Sequence, residues 1–208
     1  MPNNIEKKLN YDYLIVEDKN RKYFGGDQEW YNSFWKRMAG CGPTTASTIT
    51  MYEERSKVNS SNTYTKLQFI DLMNKLWKYV TPTQMGVNST EIYINGYDQY
   101  IYENKTNLLE SKCMNISSLK LERPTKLKLF EFLSEAIDSD HPIAFLNLDN
   151  GKLTNLESWH WVTIVGISYN QENEELHADI ADEGVIKDIN LGLWLDTTSK
   201  NGGFIYYK

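Results

Sequence analysis

Gly40-Cys41-Gly42-Pro43-Thr44-Thr45-Ala46-Ser47 is the stretch on which the reading of this 208-residue chain turns. Pro43 is pre-set for the first helical position, and Ala46, Ile49 and Tyr52 recur at helical spacing, so a helix starts here with the glycines in the turn leading in. The N-terminus of a helix carries unpaired N–H groups and a partial positive charge, which stabilise a thiolate. Gly42 leaves room beside the sulfur for a substrate carbonyl, and the Cys41 N–H can face the oxyanion formed when that carbonyl is attacked. The competing reading is a buried core cysteine beside a Gly-Pro turn. A lone cysteine counts as a nucleophile only if a histidine joins it.

Composition bounds the search for that histidine. With 40% hydrophobic residues the chain can bury one sizeable core, and residues 1–208 read as a single domain, a helical half over about 27–110 and a sheet-rich half over about 111–208. The net charge is −6 and the lysines are scattered among acids, so no basic face for nucleic acid is expected. The N-terminus, from Met1 to Lys8, lacks a signal-peptide apolar core, and no window approaches the roughly 20 apolar residues of a membrane span. The two cysteines, Cys41 and Cys113, are too few for a disulfide framework. These features predict a soluble, cytoplasmic protein with no membrane partner.

Along the chain, Tyr11–Val16 suits an edge strand or extended arm, and 28–35 packs four large aromatics and two amides just before the cysteine, a density that predicts burial beside Cys41. Thr65 reads as the N-cap of a helix with a stripe of Leu67, Ile70, Met73, Leu76, Trp77 and Val80. A third helix, capped by Ser89, is expected between Asn88 and Asn107, and a fourth carries Leu127, Phe130, Leu133 and Ile137. After Pro142 strands dominate, with Gly203–Tyr207 closing the sheet. The run Trp159-His160-Trp161-Val162-Thr163-Ile164-Val165-Gly166-Ile167 is apolar on both faces, as in a central strand covered above and below.

The three histidines are unequal. His141 precedes Pro142 at a strand entrance, and His177 lies on the polar side of an alternating strand. His160 sits between two tryptophans at the start of the most buried strand. Asn170–Glu174 reads as the turn of an antiparallel hairpin, so paired residue numbers sum to roughly 340–346. His160 then faces a window of about Ile180–Ile186, and Asp182 lies in it, in phase with Ala178 and Ile180. Asp179 is about four strand residues, roughly 13 Å, away, and Glu183 points to the opposite face. An inward aspartate fixes one tautomer of the ring and stabilises the imidazolium that a thiol nucleophile requires.

The order of Gly40-Cys41-Gly42-Pro43-Thr44, His160-Trp161-Val162 and Ile180-Ala181-Asp182 with Gly184 resembles the papain-like cysteine peptidases, in particular stand-alone relatives of the double-glycine-leader (bacteriocin-processing) peptidases, cysteine peptidase family thirty-nine. The resemblance runs from about Gln28 to the C-terminus. It implies an α+β fold, a helical half with the nucleophile helix packed on a mostly antiparallel sheet. It also implies a Cys41–His160–Asp182 triad that hydrolyses a peptide or protein substrate through a thioester, with no metal or cofactor. An idle papain-like module that binds a peptide or protein partner is the alternative. The departure lies upstream: such enzymes place an oxyanion-hole glutamine about six residues before the cysteine, where this chain has Trp35. Either 29–40 is an insertion that returns Gln28 to the site, or Asn32 substitutes, or the oxyanion hole is incomplete.

Overall fold

The computed structural model describes residues 4–106 and 110–208. Met1–Asn3 of the polar N-terminus and Asn107 at the end of the expected third helix lie outside the described residues. The chain opens with β1 (Asn4–Lys8), β2 (Ile15–Asp18) and β3 (Arg21–Phe24), followed by α1 (Phe34–Ala39), α2 (Cys41–Lys57), β4 (Tyr64–Thr65), α3 (Lys66–Leu76) and α4 (Thr90–Asn104). Then come β5 (Ser111–Ile116), α5 (Lys126–Asp138), β6 (Ile143–Asn147), β7 (His160–Asn170), β8 (Glu175–Asp182), β9 (Val185–Ile189), α6 (Leu191–Thr197) and β10 (Gly202–Tyr207).

The main sheet runs β5-β10-β6-β7-β8-β9, every neighbour antiparallel. β7 is its axis. Its first half pairs with β6, its second half pairs with β1, and β8 follows it along the other side. Two apolar layers explain why β7 is apolar on both faces: Trp161 packs with α2, α3 and α4, while Val162 and Ile164 pack with α5 and α6. β10 lies inside the sheet, so the strand expected to close it is a central one, and β5 and β9 form the edges.

Local chemistry corrects other sequence expectations. Tyr11–Leu14 is a 3-10 turn because Asn10 accepts a hydrogen bond from the Asp12 N–H, an Asx turn that competes with an extended chain. Only Ile15 and Val16 continue into β2, which pairs with β3 and β4 in a separate small sheet. Thr65 does cap α3, with Gln68 returning the bond to the Thr65 N–H. The buried stripe of α3 is nevertheless Phe69, Leu72, Met73 and Leu76, and Leu67 is 75% exposed. Polar Gln68 and Asp71 leave the phase ambiguous, and Phe69 buries more apolar area than Leu67 would. The Gly96 within α4 is a close-approach site: a Cβ there would lie 2.3 Å from the Tyr79 carbonyl oxygen.

Candidate active site

α1 ends and α2 begins at Gly40, so Cys41 is the first residue of a 17-residue helix whose N-terminus has no side-chain cap. The helix starts two residues before Pro43, so Cys41 lies in the first turn, whose N–H groups lack acceptors from a preceding turn of the same helix. A side chain at Gly40 is impossible, since its Cβ would lie 2.4 Å from the Lys36 carbonyl and 2.5 Å from the Tyr31 ring. Gly42 has a different use from the one expected: it is buried, with Val87 only 2.9 Å from where its Cβ would stand, so it admits the 81–89 loop and not a substrate. That loop is pinned by Trp161, whose indole N–H donates to the Val87 carbonyl at 2.6 Å.

His160 is the first residue of β7 and is buried. It follows Trp159, whose φ of 57° places a bulky residue in the left-handed region, at a cost of about 1–3 kcal/mol. This turn swings the imidazole into the cavity at the start of α2. Nε2 of His160 lies 2.7 Å from Oδ1 of Asp182, the buried last residue of β8. Nδ1 is therefore the nitrogen left to face the thiol. Burial disfavours the imidazolium, but hydrogen bonds to Asp182 and Cys41, together with their charges, outweigh it and push the His160 pKa up to about 10. Asp182 is also shifted by burial, upward, yet His160 and Lys187 prevail and hold it below the usual carboxylate range.

The hairpin count is accurate to one residue. Thr163 pairs with Ala181 and Gly166 with Asp179, the sum shifting by one across a bulge between Ile164 and Gly166. Asp179 is remote from His160 and accepts a hydrogen bond from the Tyr11 hydroxyl at 2.6 Å. His141 bonds Glu53, and His177 bonds Asp188 on an exposed face. Glu183 differs from expectation: with φ 51° it is a turn residue, not a strand residue, and it lines the same cavity as Asp182.

That cavity also brings Gln28 to Cys41 and His160. Gln28 opens a 3-10 turn capped by Asp27, and its Oε1 is buried with no hydrogen-bond partner among the described residues. Asn32 is exposed and lies outside the cavity lining. The intervening chain makes α1 and returns at Gly40. Its aromatics divide: Tyr31 is buried and Trp30 half-buried, whereas Phe34 and Trp35 are exposed against expectation, and Trp35, 50% exposed, lines with Met38, Met85, Val87, Leu148 and Trp159 an apolar groove that reaches Cys41 from the other side.

Two contacts were not foreseen. Lys187 donates to Asp182 Oδ2 at 2.8 Å and to Glu183 Oε2 at 2.6 Å. A two-residue Glu183-Gly184 turn would have revealed the first, because it sets Lys187 opposite Ile180, on the face Asp182 shares. The second is backbone pairing of that turn with the segment leading to Gln28: Phe24 N–H donates to Gly184 O at 2.8 Å, and Gly184 N–H to Gly26 O at 3.2 Å. Among the described residues no group of three or more His, Cys, Asp or Glu side chains is placed to hold a metal ion, and no helix is long and apolar enough to cross a membrane.

Comparison with known proteins agrees with this architecture. Among solved structures, the crystal structure of UfSP from C. elegans superposes with a TM-score of 0.58 at 11% identity, covering 100% of this chain and 35% of that one. The chain thus spans about a third of that protein, and the likeness is one of fold, a papain-like α+β arrangement. A search of curated sequences gives no match. The family model for the Peptidase_C39 like family matches residues 18–190, a span that includes Gln28, Cys41, His160 and Asp182. The chain belongs to the Peptidase_C39 like family.

Proposed function

We propose that the protein is a cysteine peptidase that hydrolyses a peptide bond through Cys41, His160 and Asp182. The observation that carries this reading is the seating of His160 between Asp182 and Cys41 in the cavity at the start of α2. The Cys41 thiolate attacks the amide carbonyl, forming a C–S bond while the carbonyl electrons move to oxygen. The His160 imidazolium gives its proton to the leaving amine as the C–N bond breaks, and the neutral ring then takes a proton from the water that hydrolyses the thioester. Asp182 holds the ring by Nε2 throughout. The Gln28 amide and the Cys41 N–H are the donors for the transient oxyanion.

The groove on the far side of Cys41 suits the acyl half of a peptide with apolar side chains. Both cysteines are free thiols, which fits a reducing, cytoplasmic compartment. The test is a mixed peptide library incubated with the wild type and with Cys41→Ala, read by mass spectrometry. Cleavage by the wild type alone, with a transient acyl adduct on Cys41, is the expected result. No Cys41-dependent cleavage, together with retained peptides on both proteins, would favour the idle binding module.

A further inference from the structure

Asp182 has two cationic partners, and the reaction as described uses only one. One carboxylate oxygen meets His160, and the other accepts from Lys187 on β9, the neighbouring edge strand, at 2.8 Å. The Asp182 side chain is only 5% exposed, whereas the Lys187 side chain is 27% exposed. An exposed ion pair of this kind contributes little, but this pair supplies the second oxygen of a buried carboxylate, which would otherwise lack a side-chain partner among the described residues. Lys187 is itself held by Glu183, whose oxygen lies 2.6 Å away.

We propose that Lys187 is a positioning residue of the Cys41 centre, which pins the far oxygen of Asp182 so that the near oxygen stays aimed at His160, with Glu183 as its tether. The inference rests on the reading of Cys41, His160 and Asp182 as one reacting array. With a single partner the carboxylate could rotate about its terminal torsion, which is a broad one, and the ring would lose its fixed orientation.

The charge inventory around the carboxylate supports the assignment. His160 faces it from β7, and the Cys41 thiol lies beyond that ring at the start of α2. Glu183 adjoins it in the turn, and Asp27 approaches Glu183 from the segment before Gln28, with Glu29 and Lys66 nearby. Three acids, Asp27, Asp182 and Glu183, therefore share this corner, and Lys187 is the cation bonded to two of them. Burial, aided by Glu183 and Glu29, already raises the Asp27 carboxyl above its usual range. Removing the Lys187 charge leaves Asp182 beside a like charge with one partner fewer.

The experiment is alkylation of Cys41 by iodoacetamide as a function of pH, in the full chain, for the wild type, Lys187→Met and Lys187→Arg, with thermal melts to verify folding. It needs no peptide substrate. The acid limb of the Lys187→Met curve should move to higher pH by about half a unit to one unit, so that labelling at pH 6 slows about three- to tenfold. Lys187→Arg, which keeps the charge and the donors, should return the limb to within about twofold of the wild type in rate. If Lys187→Met does not fold, Lys187→Gln carries the test with a smaller shift in the same direction. A folded Lys187→Met curve that superimposes on the wild type overturns the inference, as does failure of arginine to restore it or failure of both neutral variants to fold. A wild type without enhanced labelling at low pH overturns the underlying array as well, and so separates the two failures.

Discussion

Gly184 donates its backbone N–H to the carbonyl of Gly26, and this bond joins the two sides of the cavity. Gly26 is two residues before Gln28, and Gly184 is two residues after Asp182. The Gln28 segment and the Asp182 hairpin are thus held in register through main-chain atoms, while Gly26 also donates to the Thr48 hydroxyl on α2. Three segments far apart in the sequence meet around one glycine pair. Such pairing positions side chains more rigidly than loop contacts would.

Gly184 is the point at which this arrangement is most easily broken. Its φ is 75°, a region that L residues rarely adopt, and a Cβ would lie 2.8 Å from the Tyr23 ring. Gly184→Ala should therefore destabilise the fold by about 1–3 kcal/mol. Gly86, also at positive φ but with open space around it, provides the control. Gly86→Ala should cost only the backbone strain, about 1–2 kcal/mol. Denaturant melts of the two variants test the difference, and equal losses would remove the role assigned to the Tyr23 contact.

The imidazolium makes stability depend on pH. The pKa of His160 is raised from 6.5 to about 10 in the folded protein, so its contribution is fully present below about 6.5 and is lost as the pH rises towards 10. The Asp182 pKa is depressed, so its contribution is present above the ordinary aspartate value and is lost as the pH falls through its lowered one. The wild type should exceed His160→Gln in melting temperature most clearly at pH 5–6, and the gap should shrink steadily to pH 10. A gap independent of pH would mean that His160 is neutral in the fold.

The two thiols should differ in reactivity. Cys41 lies at the start of α2 beside a protonated His160. Cys113 sits on the edge strand β5, where neighbouring groups partly cover its sulfur and push its pKa up against the pull of Thr90. At pH 6 Cys41 should alkylate at least about tenfold faster than Cys113, and His160→Gln should abolish most of that advantage. Peptide mapping after brief iodoacetamide exposure reads both rates. Faster labelling of Cys113 would overturn the choice of nucleophile.

Much of this site is legible in the sequence because it is written in local and hairpin-range patterns. The Gly-Pro helix start and the buried strand after His160 are local, and Asp182 follows from counting back across one turn, to within the single residue added by the bulge at Ile164/Gly166. The position of Gln28 depends instead on how 29–40 folds, and nothing in that segment fixes its path until α1 is seen to run straight into α2. Exposure of Trp35 was illegible for a related reason: aromatic content argues for burial on average, and a groove wall is the exception. Lys187 was missed because an edge-strand lysine usually serves to blunt the edge, and only the tight turn at Glu183-Gly184 shows that it reaches inward.

Gln28 tests whether the oxyanion site is complete. Its amide oxygen is buried without a partner among the described residues, so folding gains no hydrogen bond from that atom, and Gln28→Ala should melt within a few degrees of the wild type. Loss of one oxyanion donor typically lowers turnover roughly a hundredfold to a thousandfold, or about 3 to 4 kcal/mol in the barrier. Gln28→Ala should show that loss in kcat on a peptide the wild type cleaves, while its iodoacetamide labelling stays near normal, because alkylation forms no oxyanion. Asn32→Ala, at an exposed position outside the cavity, should leave both rates unchanged. Full activity in Gln28→Ala with a large loss in Asn32→Ala would transfer the role to Asn32. If neither substitution changes turnover on a peptide whose cleavage depends on Cys41, the oxyanion is held by backbone N–H groups at the start of α2 alone.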